Sequence, residues 1–358
     1  MRIRPWFMIA MMVIILAALM PPACSRPPKG KTPPKVRPAT KSHASKPKPK
    51  TTAAKLPYWV TGKGAWIYIG PRCCNGDSTE IAKHAKQSGL DYIAVRTNGY
   101  YGWDKKNSRQ FVRNLIKACH KVRVKVYAWG YIYPDNPQRV ANLANEVLDM
   151  GADGYIFNIE SAMRNHAQAA REMCPIVRQH VDKLNKKDRS KHRILAYSPP
   201  CRVNIGMGVG IPVEVFDYYC DVNMPQVYWT EFKNWDEKNA DYRMMTTWLA
   251  VQKTWHHQAR PIAPILHAYD DTPNTTEVDA NELLRLSKGF SGYSGISYYC
   301  WDKMGVKHWQ AIKKAPGSLA WQKKNNLHKF TKQVKAKAKQ SAAAKPKRHE
   351  RRKQGRSP

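Results

Sequence analysis

The feature that most constrains the fold of this chain is an eightfold alternation of short apolar runs with helix-like segments. Each run is rich in Val, Ile, Tyr and Trp, as β-strands are, and most are followed by apolar residues at helical spacing. Strands that alternate with helices form a parallel sheet with right-handed crossovers. Eight repeats predict a single closed (β/α)8 barrel of the TIM-barrel class. The runs are Ala65–Ile69, Tyr92–Arg96, Lys125–Trp129, Gly154–Ile159, Ile194–Tyr197, Val222–Tyr228, Ile262–His267 and Gly295–Trp301.

Six of the segments between the runs predict helices, and one predicts a loop. The Gly-rich segment Asn204–Asp217 is expected to be mostly loop over the barrel mouth. Its three alternate glycines resemble part of a nucleotide-binding fingerprint, but they lack the strand-turn-helix context and the downstream acid of that motif. The predicted helices are Ser78–Gln87, Ser108–His120, Pro137–Asp149, Met163–Leu184, Ala240–His257 and Glu277–Ser287.

Two strongly basic segments flank the predicted barrel and account for most of the net charge of +35. Residues 26–55 contain ten Lys and Arg and no acid, and residues 323–358 contain fourteen against one acid, Glu350. Such segments have too little apolar surface to offset the entropy of ordering. We therefore predict one barrel domain at 56–322, between a disordered Pro/Lys-rich linker at 25–55 and a disordered basic tail at 323–358.

The first 24 residues are typical of an export signal. Arg2 and Arg4 precede the apolar run Trp6–Met20, which is short for a membrane span and suits the core of a signal peptide. Cys24 stands where bacterial lipoproteins carry a lipidated cysteine, although Pro21 replaces the usual Leu. We expect a signal peptide or lipoprotein signal at 1–24, or alternatively an uncleaved anchor, and hence a periplasmic, membrane-anchored or extracellular protein.

The cysteines predict disulfides rather than a metal site. Seven remain after Cys24, an odd count that in an exported protein suggests some disulfides and at least one free thiol. No Cys-x-x-Cys or His-x-x-x-His spacing occurs, so we predict neither a zinc site nor any other metal or cofactor.

The fourth run carries the clearest chemical signal. Side chains alternate along a strand, so Ile156, Asn158 and Glu160 point to one face of the segment Asp153–Glu160. Polar residues therefore occur only at the C-terminal end of an otherwise apolar strand. In a parallel barrel that end carries the active site.

The other strand ends add aromatic and amide groups to the same mouth. Aromatic faces stack on the apolar faces of sugars, and amides and carboxylates bind their hydroxyls. A phosphate substrate would instead require Gly-rich cradles and clustered Arg. The alternative is that these aromatics only fill the top layer and rim of the barrel. The predicted substrate-binding residues are Arg96, Trp129, Tyr131, Gln226, Trp229, His267, Trp301 and Asp302.

Three segments resemble glycoside hydrolase family 18 chitinases. Asp153-Gly154-x-x-x-Asn158-x-Glu160 is similar to the fourth-strand signature Asp-Gly-x-Asp-x-Asp-x-Glu, although Ile156 and Asn158 replace two of its acids. The segment Met224–Tyr228 resembles the family's sixth-strand Met-x-Tyr element with one extra residue, and Trp301 stands where the family has its eighth-strand Trp. The Asn-x-Glu pair instead resembles the related family 85 endo-β-N-acetylglucosaminidases.

The resemblance implies substrate-assisted glycoside hydrolysis, in which the substrate's own 2-acetamido group is the nucleophile. Glu160 would then be the general acid, while Asn158 and Tyr228 would hold the acetamido group. A mechanism with two carboxylates also stays open, because the acidic residues Glu231, Asp270 and Asp302 follow the last three strands.

The sequence therefore predicts an exported glycoside hydrolase-like protein that acts on an N-acetylhexosamine-containing polysaccharide such as peptidoglycan or chitin. Two other functions stay open: a non-catalytic, lectin-like barrel, and a polyanion-binding surface protein whose barrel is only a scaffold. The basic tails are expected to bind anionic polymers. Nucleic acid is not expected as the main partner, because the chain has an export signal and no folded nucleic-acid module.

Overall fold

Eight barrel strands follow one another around a parallel sheet, which confirms the predicted (β/α)8 fold. The computed structural model describes residues 60–203, 206–231, 251, 260–270, 277–290 and 293–316. The sheet runs in the order β7-β6-β5-β4-β2-β1-β10-β9-β8, with β3 as an antiparallel partner of β2. Its strands are β1 (Gly62–Ile67), β2 (Tyr92–Gly99), β3 (Gly102–Trp103), β4 (Lys125–Tyr131), β5 (Gly154–Asn158), β6 (Ile194–Ser198), β7 (Val222–Asn223), β8 (Gln226–Val227), β9 (Ile265–His267) and β10 (Gly295–Tyr299).

The sixth barrel strand closes the ring although it is broken in two. Pro225 lacks the N–H that a central strand needs, and it separates β7 from β8. β7 pairs with β6, and β8 pairs with β9. Met224 N donates to Tyr197 O on one side at 2.8 Å, and Ala263 N donates to Asn223 O on the other at 2.8 Å. The two short strands therefore act as one barrel strand hydrogen-bonded to both neighbours.

Seven α-helices of the described residues lie between these strands and after the last one. The predicted bounds of α1 and α3 match the structure, and the predicted helix at 240–257 lies outside the described residues except for Val251. Asp77 begins α1 by accepting hydrogen bonds from the N–H groups of Thr79 and Glu80. The helices are α1 (Ser78–Gln87), α2 (Arg109–Lys121), α3 (Pro137–Asp149), α4 (Ala167–Lys187), α5 (Val213–Tyr219), α6 (Ala280–Gly289) and α7 (Val306–Lys314).

Besides α7, which was not predicted, three helices depart from the sequence prediction. α6 begins at Ala280 instead of Glu277, because the Asp279 side chain caps it by accepting from the N–H groups of Asn281 and Glu282. α4 begins four residues late, because Ser161–Met163 forms a 3-10 turn and Asn165 has a φ of 60°, which α-helical backbone cannot adopt. α5 forms inside and beyond the segment predicted as loop. The Gly-rich part of that segment ends at Gly210, and the following residues bury an apolar face that includes Val213 and Phe216.

The side-chain alternation of each strand divides the core into an inner and an outer cluster. Ile156 lies in the inner cluster with Trp66 and Trp129, whereas Tyr155 and Phe157 face the helices in the outer cluster. The face of β5 that carries Ile156 is therefore the barrel interior. Asn158 and Glu160 continue that face towards the mouth.

A buried lysine fixes the opposite end of the barrel. Lys63 in β1 is 4% exposed, and its Nζ donates to Ile312 O at 2.9 Å and to Ala315 O at 3.1 Å. These carbonyls lie at the C-terminal end of α7, where backbone acceptors lack helical partners and a cation is favoured. The last helix is thereby joined to the first strand.

The described cysteines form no disulfide, contrary to the sequence prediction. None of the seven is bonded to another cysteine, and all except Cys74 are buried. Burial raises the pKa of the Cys119 thiol to about 12, which disfavours the reactive thiolate. These cysteines therefore pack as small apolar side chains. Within the ranges described, no helix is long and apolar enough to cross a membrane.

Candidate active site

A pocket of about 510 Å³ opens at the C-terminal ends of the barrel strands. β5 and the turn that follows it supply one side, and the loop between β6 and α5 supplies another. Glu160 is the only carboxylate among the described residues that line the pocket. The lining consists of Trp66, Asn158, Glu160, Ser161, Ser198, Pro200, Cys201, Arg202, Gly206, Gly208, Gln226, Tyr228 and Tyr299.

Glu160, Asn158 and Gln226 form a short hydrogen-bond network at the base of this pocket. Asn158 Nδ2 donates to Glu160 Oε1 at 3.0 Å. Gln226 Nε2 donates to Asn158 Oδ1 at 2.7 Å and to Glu160 Oε1 at 3.3 Å. The first of these two bonds fixes the orientation of the Asn158 amide, because its oxygen must face Gln226. The NH2 group of Asn158 is thereby directed to the carboxylate.

The environment of Glu160 favours its protonated form. Burial raises the pKa of the Glu160 carboxyl above its ordinary value, while hydrogen bonds from Asn158 and Gln226 and the charge of Arg96 oppose that rise. Both amide donors bind Oε1, so a proton taken up by this carboxyl would lie on Oε2. A carboxylic acid in a buried pocket at a barrel mouth can serve as a proton donor.

Aromatic side chains form the walls beside this carboxyl. The rings of Tyr228 and Tyr299 stack at 5.6 Å with an interplanar angle of 25°. Trp66 meets Tyr299 edge-on at 6.4 Å and is held by a hydrogen bond from its indole N–H to Ser297 Oγ at 2.9 Å. Since these rings line the pocket and are fixed by packing and hydrogen bonding, they give it a preformed aromatic wall for a flat apolar surface such as one side of a sugar ring.

Arg96, Trp129 and Tyr131, predicted to bind substrate, surround the pocket without lining it. Arg96 Nε pairs with Asp104 Oδ2 at 2.5 Å, and its guanidinium lies over the Tyr68 and Trp129 rings. Trp129 is buried in the inner cluster, and its indole N–H donates to Ile67 O at 3.3 Å. Tyr131 reaches Ser161 and the charge of Glu160 from the neighbouring strand.

Trp301, Trp229 and His267 are buried elsewhere at the strand ends. Trp301 packs in the outer cluster against His84 and Trp309, with ring centroids 5.2 and 4.7 Å away. Trp229 is fully buried in the same cluster, and its ring lies 6.4 Å from that of His267. None of these three lines the pocket as described.

The carboxylates considered as partners for Glu160 are engaged in structural contacts where the structure describes them. Asp302 Oδ1 accepts from Tyr68 N at 2.9 Å. Asp270 accepts from Val278 N at 2.9 Å and pairs with Lys307 at 2.9 Å. The side chain of Glu231 lies outside the described residues. No described second acid therefore lines the pocket opposite Glu160.

Sequence reasoning missed several residues that line the pocket. Tyr299 occupies the wall that was assigned to Trp301, and Trp66 lies beside it from the first strand. Alternation along an extended strand would put Tyr299 and Trp301 on the same face. Trp301 would therefore reach the pocket only if β10 continued beyond Tyr299. It ends there, and a 3-10 turn at Trp301–Lys303 redirects the later side chains.

The glycine-rich segment borders the pocket, as predicted. Gly206 and Gly208 are among its lining residues. A Cβ on Gly208 would lie 1.9 Å from Arg202 O, so only glycine permits this close approach of the loop to itself. In the described ranges, no group of three or more His, Cys, Asp or Glu could hold a metal ion.

The fold is a TIM barrel with a pocket at its mouth. No protein-family model and no curated protein sequence matches the chain. Its structure is similar to a family 18 chitinase from Pseudoalteromonas aurantia, with 15% identity and a TM-score of 0.52 over 72% of this chain and 100% of that chain.

Two further solved chitinases share the fold. A family 18 chitinase from Cycas revoluta has 7% identity and a TM-score of 0.53, covering 71% of this chain and 99% of that one. A class V chitinase from Pseudomonas fluorescens has 9% identity and a TM-score of 0.51, covering 72% and 99%. At such low identities the comparison establishes the fold.

Proposed function

We propose that this protein hydrolyses an N-acetylhexosamine-containing glycan by substrate-assisted catalysis, with Glu160 as the general acid. The observation that carries the proposal is the pocket itself: one half-buried carboxyl is held by two amides between aromatic walls at the mouth of a chitinase-like barrel. Retention by two carboxylates needs a second acid facing the first. The absence of one from the described lining favours a nucleophile supplied by the substrate.

In the proposed first step the carbonyl oxygen of the 2-acetamido group attacks the anomeric carbon. The bond to the leaving oxygen breaks, and that oxygen takes the proton from Glu160 Oε2. The products are a cyclic oxazolinium ion and a carboxylate. In the second step the Glu160 carboxylate removes a proton from water, and the water oxygen bonds to the anomeric carbon. The bond between that carbon and the acetamido oxygen breaks, which opens the oxazolinium ring and restores the acetamido group with retained configuration.

Asn158 and Tyr228 are assigned to the acetamido group. Asn158 is 7% exposed and lines the pocket next to Glu160, so its side chain is close to any sugar that reaches the acid. Tyr228 lines the pocket from the sixth strand. Because Asn158 is neutral, it cannot balance the positive charge of the oxazolinium ion as a carboxylate would, so we expect slow turnover.

The acetamido group gives a direct test of this mechanism. Oligomers of β-1,4-linked N-acetylglucosamine and their N-deacetylated counterparts should be incubated with the full-length protein, and products followed by proton NMR. We expect cleavage of the acetylated oligomers alone, with the β-anomer formed first. Equal cleavage of the deacetylated oligomers, or initial formation of the α-anomer, would refute substrate assistance.

A non-catalytic glycan-binding barrel is the second candidate. The observation that favours it is the 2.7 Å hydrogen bond from Gln226 to Asn158 Oδ1, which occupies the acceptor that an acetamido N–H would use. Such a barrel would bind acetylated oligomers saturably without releasing reducing ends. Isothermal titration beside a turnover assay distinguishes the two functions.

We further propose that the protein acts outside the cytoplasm on peptidoglycan or another envelope polysaccharide. The support is the sequence alone: the signal-like residues 1–24, the candidate lipidation site Cys24 and the basic segments at 25–55 and 323–358. Globomycin, which blocks lipoprotein signal cleavage, should shift the mass of the expressed protein if Cys24 is lipidated. An unchanged mass and a soluble product would refute membrane anchorage.

A further inference from the structure

Four tyrosines form a continuous row from the pocket to the exposed tip of the β2–β3 hairpin. The ring of Tyr131 lies 4.8 Å from that of Tyr133, which lies 4.6 Å from that of Tyr100. Tyr100 in turn lies 4.7 Å from Tyr101. We call Tyr131, Tyr133, Tyr100 and Tyr101 the tyrosine ladder.

The inner end of the ladder is continuous with the candidate active site. Tyr131 ends β4, next to β5, and its hydroxyl lies beside Ser161, a residue that lines the pocket. The carboxylate of Glu160 is close enough to act on the same hydroxyl electrostatically. A chain that leaves the pocket on this side therefore meets the ladder first.

The outer end of the ladder is not explained by turn chemistry or by packing. Gly99 pairs with Gly102 across the hairpin, so Tyr100 and Tyr101 are its two loop residues. Two-residue hairpin loops favour Asn and Gly, which adopt the positive φ angles of the primed turns. Neither tyrosine has a positive φ. Their side chains are 44% and 89% exposed, so the core does not hold them there.

The hairpin tip is nevertheless held in place. Tyr100 O accepts a hydrogen bond from Arg139 in α3 at 2.9 Å, and the Asp135 carboxylate beside the Tyr100 hydroxyl raises the pKa of that hydroxyl. The contacts of Tyr100 with Tyr133 and Tyr101 are both edge-to-face, at 90°. Each edge-to-face contact covers at most one face of one ring. The polar contacts reduce the conformational freedom of the tip that a ligand would otherwise have to restrict.

We propose that the tyrosine ladder binds the part of a glycan chain that extends beyond the pocket. The inference rests on the proposed function and adds to it the substrate class: a linear polysaccharide, bound over more sugars than the pocket holds. Tyrosine suits this role because its ring presents an apolar face to a sugar while its hydroxyl binds sugar hydroxyls or water.

The test compares short and long substrates. KM and kcat of the full-length protein are measured on β-1,4-linked N-acetylglucosamine oligomers of increasing length and on soluble glycol chitin. The double variant Tyr100→Ala/Tyr101→Ala should raise the KM for the polymer by roughly tenfold. It should leave the KM for the shortest cleaved oligomer unchanged. Replacing Tyr101 with Trp should retain the polymer KM, since indole offers an equal or larger face.

Tyr218→Ala is the matched control. Tyr218 is 73% exposed and makes an edge contact with Tyr219, as Tyr101 does with Tyr100. It lies near the end of α5, just before β7 begins, and hence at the opposite end of the barrel. This variant should leave both KM values unchanged. Circular dichroism should show each variant folded.

Two results would refute glycan binding by the tyrosine ladder. One is an equal KM for the polymer in the wild type and the double variant, and the other is an equal rise in KM on short and long substrates. Failure of the proposed hydrolase function would be recognised separately, by the absence of turnover in the wild type. If wild type releases no reducing ends, titration with the same oligomers replaces kinetics. Affinity that grows with length in wild type but not in the double variant still supports the ladder, whereas length-independent affinity refutes it.

Discussion

Glu160→Gln should stabilise the protein at neutral pH while removing its proton donor. Burial raises the pKa of Glu160, so its ionised form is less favourable in the folded protein than in the unfolded chain. A glutamine keeps an Oε1 acceptor for Asn158 and Gln226 but carries no charge. The substitution therefore removes the cost of ionisation without breaking the hydrogen-bond network.

The size of this effect follows from linkage. The folded state binds the Glu160 proton more tightly than the unfolded chain does, and this difference adds to the free energy of unfolding. The added stability is fully present below the unfolded pKa of about 4.3 and is lost as pH rises through the raised folded pKa. At neutral pH the variant should gain about 1.4 kcal/mol for each unit by which the pKa of Glu160 is raised. The gain should vanish near pH 4.

Urea unfolding followed by tryptophan fluorescence between pH 4 and 8 measures this difference. Glu172→Gln is the control, since Glu172 is exposed on α4 and glutamine can still accept the hydrogen bond from Gln168; such an exposed substitution changes stability by less than about 0.5 kcal/mol. A gain for Glu160→Gln that grows with pH supports the reasoning. A loss of stability at pH 7, or a difference independent of pH, would refute it.

Four further variants test the site and the barrel that carries it. Gln226→Ala removes a hydrogen bond that lowers the pKa of Glu160. The limb of the pH–rate profile that reports the ionisation of Glu160 should therefore move to higher pH, and an unchanged profile would contradict the hydrogen-bond network. Lys63→Met should destabilise the barrel by about 2 kcal/mol in urea unfolding, because two buried carbonyls lose a charged donor; no change would contradict that anchor. Trp301→Phe should leave KM unchanged while Tyr299→Ala raises it, since only the latter residue lines the pocket; the opposite result would restore the sequence-based assignment.

The strands and the polar end of β5 could be predicted because their signals are local. Each barrel strand has its own apolar run, and alternation along β5 alone puts Asn158 and Glu160 on the inner face. The two-residue β3 gave no such signal. α7 was not predicted either, although Trp309 and Ile312 lie one turn apart on it.

The arrangement of the site could not be predicted because it depends on where strands end in three dimensions. Pro225 divides the sixth strand, and the register beyond it brings Gln226 within hydrogen-bond distance of Asn158. Sequence pattern identified Gln226 as a strand-end amide but not its partners. Likewise Trp301 looked like a pocket residue until the end of β10 at Tyr299 placed it against α1 and α7.

The most direct test of the central claim is reducing-end release by the full-length wild type and its Glu160→Gln variant, on N-acetylglucosamine oligomers and on peptidoglycan. General-acid catalysis predicts wild-type turnover that falls about 10²–10⁴-fold in the variant, with oligomer binding unchanged. Equal turnover by both proteins would show that Glu160 is not the acid. Saturable binding without turnover by wild type would contradict the hydrolase and leave a glycan-binding barrel.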